Sequence, residues 1–312
     1  MINFIIISIF LALGFAARNL RLVTDKTSHS LNLFVIYICL PSVVLLRIPF
    51  IELNTDLLLP ALMPWLMVSI VAGAVILAAY LFRFSKNTVG AMLLVCCFGN
   101  TSFFGFPMVT AFWGEEALVY AIVYDVLGSF LSLAVLANII VALYADNEGS
   151  TDSKPTVLSV LKRIILFPPF IAVVVSLSIQ GVHYPEFLKV TLDSIALLLV
   201  PTTMFIVGMH FSFNVDDEIK TPLKVVLFIK LIVTPCLVAM IVYGVWPHLT
   251  YINYSQSLVD EVTVFEAAMP PMVTTGIMAM HAKLAPKLAA AAVGLGLLSS
   301  VVSLSLVSVF LQ

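Results

Sequence analysis

Apolar runs of membrane-spanning length, separated by short polar stretches, set the pattern of this chain. A spanning helix needs about 20 mostly apolar residues. Ten runs meet that rule: 2–20, 31–48, 57–82, 89–113, 117–144, 157–179, 187–211, 223–245, 258–281 and 288–311. Two of them are interrupted. The fourth contains Gly99-Asn100-Thr101-Ser102-Phe103-Phe104-Gly105-Phe106-Pro107, and the ninth contains Met269-Pro270-Pro271-Met272-Val273-Thr274-Thr275-Gly276. Proline removes a helix hydrogen bond and clashes with the preceding turn. In hydrocarbon, irregular backbone is tolerated only where it is buried in protein or lines a cavity. Two interrupted helices in corresponding halves of a membrane chain point to a transporter's binding site.

The one polar linker of any length, 145–156 (ADNEGSTDSKPT), lies at the midpoint. Five runs fall on each side, so residues 1–144 and 157–312 read as two repeats. Leu40-Pro41 of the second run aligns with Val200-Pro201 of the seventh at an offset of 160 residues. Pro107 aligns with Pro270 and Pro271 at offsets of 163 and 164. An odd number of spans per repeat makes the halves face opposite ways. The expected fold is therefore an all-α polytopic membrane protein of ten spans, built as two inverted five-helix repeats with broken helices 4 and 9.

Charge orients it. Loops after the odd-numbered spans collect Arg18, Arg21, Lys26, Arg83, Lys86, Lys154, Lys162, Arg163, Lys220, Lys224, Lys283 and Lys287, against Arg47 and Lys189 on the other side. The positive-inside rule makes the odd loops cytoplasmic and puts both termini outside the cytoplasm, in the cell (inner) membrane. Composition agrees: 62% of the 312 residues are hydrophobic and 10% charged, and mean hydropathy is +1.13. The apolar N-terminus has no basic residue ahead of it and reads as a retained helix. Cys39, Cys96, Cys97 and Cys236 lie in apolar runs without metal-ligand spacing and read as small apolar residues. No basic patch points to nucleic acid. No H-E-x-x-H, G-x-S-x-G or phosphate-binding loop points to an enzyme or an ATP-driven pump. No cofactor is implied. The expected partners are the bilayer, a substrate and a coupling ion.

Together the Leu-Pro of the second run, the GNTSFFGFP break and the AAMPP break resemble the auxin efflux carrier family, over nearly the whole chain. That family includes bacterial carriers of the malate or malonate permease type. The resemblance implies a fold like that of the bile-acid symporters and sodium/proton antiporters, with two broken helices crossing at mid-membrane and a scaffold flanking a mobile domain. It implies a small organic anion as substrate, malate, malonate or an auxin-like weak acid. Family members carry an asparagine shortly before the first crossover proline, matched here by Asn100. They carry another after the second, where this chain has Thr274 and Thr275.

At a break, half-helix N-termini offer free N–H groups and a positive dipole end to an anion. Asn100, Thr101, Ser102, Gly105, Pro107, Pro270, Pro271, Thr274 and Thr275 form the expected substrate site. The opposite ends, near Gly99 and Ala268, offer carbonyls to a cation. Ionisable groups inside spans are costly and mark function. Glu266, one turn before Pro270, is the leading candidate for proton coupling. Lys230 is its counter-ion, a counter-ion of Asp125, or a direct ligand of the substrate anion. Asp125 joins the coupling set, and His210 reads as a surface histidine. Gly73, Gly128, Gly294 and Gly296 read as close helix packing. Trp65, Trp113, Trp246 and Tyr251 read as an aromatic belt. A homodimer surface falls on spans 1 to 3 or 6 to 8. The competing readings are a sodium-coupled symporter, a membrane receptor that kept the fold, and an intramembrane enzyme.

Overall fold

The computed structural model describes residues 2–50, 55–145, 157–182, 184–210, 215–247 and 258–311. Most of the polar linker, residues 146–156, and Tyr251 lie outside this set. Among the described residues every regular element is helical. Thirteen helices run through the described residues. They are α1 (Ile2–Asn19), α2 (Lys26–Phe50), α3 (Thr55–Phe82), α4 (Lys86–Cys97), α5 (101–113), α6 (Leu118–Tyr144), α7 (Val157–Ile165), α8 (Pro168–Ser178), α9 (Glu186–Met209), α10 (Asp217–Val245), α11 (Leu258–Ala267), α12 (Val273–His281) and α13 (Pro286–Leu311).

Six of these, α2, α3, α6, α9, α10 and α13, are long and apolar enough to cross a membrane. The remaining expected runs are helical but shorter or interrupted. One interruption differs from expectation. The hydropathy of run 157–179 predicts a single span, but it divides at Leu166–Phe167 into amphipathic α7, carrying Lys162 and Arg163, and apolar α8. The cause is Pro168-Pro169: a residue before proline is pushed out of the α region, and Phe167 is extended at φ −72°, ψ 117°.

Proline also shapes α2 and α9. Pro41 cannot donate to Tyr37, and α2 widens into a π turn at Val35–Cys39 just before it. Pro201 cannot donate to Leu197, and α9 loosens at Leu197–Leu198. Further π turns occur at Thr101–Gly105, Tyr124–Phe130 and Ile229–Val233. Such turns concentrate at functional sites, and the last two hold Asp125 and Lys230.

The helices pack in two groups, and each draws on both halves of the chain. One group is α1, α2, α8 and α9; the other is α3 to α6 with α10 to α13. Within the first, α1 and α9 approach backbone to backbone. A Cβ on Gly14 would strike the Phe205 carbonyl, and one on Gly208 would strike the Leu11 carbonyl. Small residues permit this contact, the source of helix association where lipid supplies no hydrophobic drive. Among the glycines expected to pack closely, Gly128 meets Pro64 and Gly296 meets Pro271, but Gly73 faces open space. The outer faces are apolar: Tyr80, Leu306, Val309 and Phe310 are largely exposed, and Phe310 is 83% exposed. In water such a surface would be an aggregation liability; hydrocarbon is its matching solvent. Trp65 and Trp113 turn inward, with their indole N–H groups donating to the Leu127 carbonyl and to Glu261. Their amphipathic rings serve packing between helices as well as any interface.

Candidate functional site

The two sequence breaks meet. Beyond α4 the chain is extended at Phe98, φ −117°, ψ 124°. Gly99 pairs antiparallel with Pro271. The Asn100 N–H donates to the Pro270 carbonyl at 2.8 Å, and the Met272 N–H donates to the Phe98 carbonyl at 3.1 Å. Backbone groups freed by the breaks would each cost several kcal/mol in hydrocarbon. Here each break supplies partners for the other. The prolines bring carbonyls and no N–H to satisfy, so they suit an extended strand that accepts on one edge. The Asn100 carbonyl then accepts from Gly105 at 3.0 Å and Phe104 at 3.3 Å and starts α5.

Three charged side chains converge on this crossing. The Lys230 ammonium donates to the Ala267 carbonyl at 3.3 Å, at the C-terminal end of α11, and lies against Gly99. Asp125 accepts from the Thr101 hydroxyl at 2.5 Å, with the Ser102 hydroxyl also in reach. It thus sits at the positive N-terminal end of α5, where an anion is favoured. Glu266 is 0% exposed and packs against Gly105, whose missing Cβ makes the room. Neither of its carboxyl oxygens has a hydrogen-bond partner among the described residues, and neither has the side-chain amide of Asn100, which is 1% exposed. Buried polar atoms are rarely left unpaired. An orphan amide and an orphan carboxyl therefore flank one helix start, each with hydrogen-bonding capacity left over.

One cavity lies at the crossing, and a second reaches the C-terminal half of the first broken helix. The first is small, about 20 Å³, and is lined by Thr101, Ser129, Ser132, Lys230, Thr234 and Glu266 among others. The second is large, about 580 Å³, and opens between the two helix groups, walled by α1, α2, α9 and the second half of the first broken helix at Phe106, Pro107 and Thr110. Arg47, Glu115 and Asp193 are its charged lining, and Arg47 ion-pairs with Glu115 across the gap between the groups.

The structure gathers Asn100, Thr101, Ser102, Gly105, Pro270, Pro271, Glu266, Lys230 and Asp125 at the crossing, and Pro107 on the large cavity. Thr274 and Thr275 stand apart. The Thr275 hydroxyl donates to the Met272 carbonyl at 2.9 Å, and Thr274 is exposed. Lys230 does not line the large cavity. His210 is half-buried against the Ile206 carbonyl. Cys39, Cys96, Cys97 and Cys236 are free thiols. Among the described residues no cluster of three or more His, Cys, Asp or Glu side chains could hold a metal. Arg47, Glu115, Ser129, Ser132 and Thr234 were not singled out in the sequence. The serines and the threonine are isolated hydroxyls in apolar runs, a signal too common in membrane helices to stand out. Arg47 lies at the end of an apolar run and Glu115 between two such runs, where charges are ordinary.

The profile of the membrane transport protein family matches residues 1–308. An uncharacterized transporter of Methanothermobacter thermautotrophicus is 24% identical over 311 residues, 97% of this chain and 95% of the relative. An uncharacterized transporter of Methanocaldococcus jannaschii is 26% identical over 217 residues, 67% of this chain and 68% of the relative. With a family match along almost its entire length, apolar helices of spanning size and two broken helices crossing at a buried polar centre, the chain belongs to the membrane transport protein family, the auxin efflux carriers, and is a multi-pass membrane transporter rather than an enzyme.

Proposed function

We propose that this transporter is a proton-coupled secondary carrier of small organic weak acids. In this reading the ten runs span the membrane as two inverted repeats with both termini outside the cytoplasm. The group containing the crossing rocks against α1, α2, α8 and α9. The observation that carries it is the pair of orphan polar side chains, Asn100 and Glu266, buried at the crossing. Glu266 exchanges the coupling proton, and the Asn100 amide orients the substrate carboxyl. Asp125, held by Thr101, keeps α5 anchored at its positive end.

The large cavity supports a mono-acid with an apolar body over a dicarboxylate. Ile6, Ile7, Phe10, Val43, Leu46 and Leu118 make much of its wall. Against one arginine stand two carboxylates, Glu115 and Asp193. A second carboxylate on the substrate would find no cation there. The exposed apolar faces of spans 1 to 3 and 6 to 8 leave room for a homodimer.

The test is uptake of labelled indole acids, malonate and malate into proteoliposomes under an imposed pH gradient. The expected result is uptake of the apolar mono-acids driven from the acidic side. Uptake insensitive to the gradient would remove proton coupling. Equal uptake by Glu266→Gln would remove Glu266 from that role.

A further inference from the structure

We propose that the Lys230 ammonium is the protein's own cation at the crossing, standing where a monovalent metal ion would otherwise bind, so that the carrier runs without sodium. This deepens the carrier reading above and rests on it for the word carrier.

Where α4 and α11 stop, their last carbonyls point toward the crossing and carry the negative ends of the helix dipoles. Such paired ends make a cation site in an interrupted membrane helix. Here the place is taken by Lys230. Its ammonium is 3.3 Å from the Ala267 carbonyl. A Cβ on Gly99 would sit 3.2 Å from the same nitrogen. The residue is 3% exposed, so the charge does not snorkel to an interface. The π turn Ile229–Val233 aims it, and the Thr234 hydroxyl, donating to the Ile229 carbonyl at 2.8 Å, ties off that turn.

The remaining space limits what else can enter. The small cavity beside Lys230, about 20 Å³, admits one water-sized occupant. A metal ion there would stand next to a buried ammonium, where like charges repel more strongly than in water. The titratable groups facing Lys230 are Cys96 and Cys97 from α4 and Glu266 from α11, with Asp125 from α6 acting on Glu266. Two carboxylates and one ammonium leave one negative charge, which a single proton neutralises. A tethered cation thus divides the labour, with the lysine supplying fixed charge and the proton supplying the exchangeable one.

The experiment compares thermal unfolding of wild type and Lys230→Ala in nanodiscs, in sodium, potassium, methylammonium or choline chloride at equal ionic strength. The expected result is a wild-type midpoint that is the same in sodium and choline. Lys230→Ala should unfold at lower temperature, with part of the loss recovered in methylammonium or sodium and none in bulky choline. A wild-type midpoint raised by sodium over choline overturns the proposal, and so does a Lys230→Ala midpoint that no small cation raises. Should Lys230→Ala not fold, Lys230→Gln, which keeps a donor for Ala267, takes its place in the same comparison. None of these readings needs a transported substrate. A failure to find one would therefore count against the carrier reading and leave the Lys230 result standing.

Discussion

In the proposed mechanism the chemistry turns on Glu266, a carboxyl that is 0% exposed and has no hydrogen-bond donor among the described residues. Glu266→Gln keeps the shape and removes the exchangeable proton. We expect gradient-driven uptake to fall by at least about tenfold, a loss of about 1.4 kcal/mol or more, with thermal stability held or raised. A fall in stability that parallels the fall in uptake would assign Glu266 to structure instead. Asn100 makes a different prediction. Its side chain bonds no described residue, so Asn100→Ala should leave stability nearly unchanged. A hydrogen bond lost to a buried ligand costs about 1–3 kcal/mol, so substrate KM should rise between about 5- and 150-fold. Gly105 is coupled to both. A methyl there collides with the Glu266 carboxyl, and overpacking costs about 1–3 kcal/mol. Gly105→Ala should lower the unfolding midpoint, and Glu266→Ala in the same chain should restore much of it. A double-mutant cycle with no coupling energy would mean that the two residues do not touch.

At the scale of the helix, the recurrent device is proline followed through to its backbone consequence. Pro41, Pro107, Pro168 and Pro201 each disturb the helix on their N-terminal side, Pro41 and Pro107 each following a π turn. Pro270 and Pro271 instead supply the strand that Gly99 pairs with. The apolar periodicity shows that these segments are helical. It does not show that α7 turns away from α8, because that bend depends on the conformation of one residue, Phe167. The α1 and α9 contact behaves in the same way. Gly14 and Gly208 are unremarkable in sequence, yet they permit the closest backbone approach in their group. Gly208→Val would drive two methyls and a Cβ into the Leu11 carbonyl. We expect a larger loss of thermal stability from it than from Gly73→Val, where a Cβ meets nothing. Equal effects would show that the close approach does not form.

The whole molecule is two helix groups with a 580 Å³ cavity between them, bridged at one mouth by Arg47 and Glu115. A cavity between two packed bodies can close from either end as one body rocks, the rigid-body class of conformational change. Cysteines placed at positions 47 and 115, with exposed Cys236 changed to serine, allow this motion to be stopped. A short bismaleimide across them should abolish uptake, while each single cysteine variant treated the same way keeps the rate it had before treatment. Full uptake by the bridged protein would mean that this gap does not change width during transport.

Much of this molecule is legible without its coordinates. Helical class, membrane habitat, the two breaks and the polar residues at them follow from hydropathy, proline and glycine, which are local properties. Resemblance of the motifs in their order led to the family that the profile match establishes. The alliances among those residues came only with the tertiary structure. Gly99 meets Pro271 across more than half the chain, Lys230 meets the carbonyl of Ala267, and Glu266 fits the missing side chain of Gly105. Thr275, a reasonable ligand on paper, turns to its own backbone. Arg47 and Glu115 became a bridge only once α2 and the end of α5 faced each other. A residue's type and spacing determine what it can bond. Which partner it takes depends on where distant helices cross, and that is settled by packing across the whole fold.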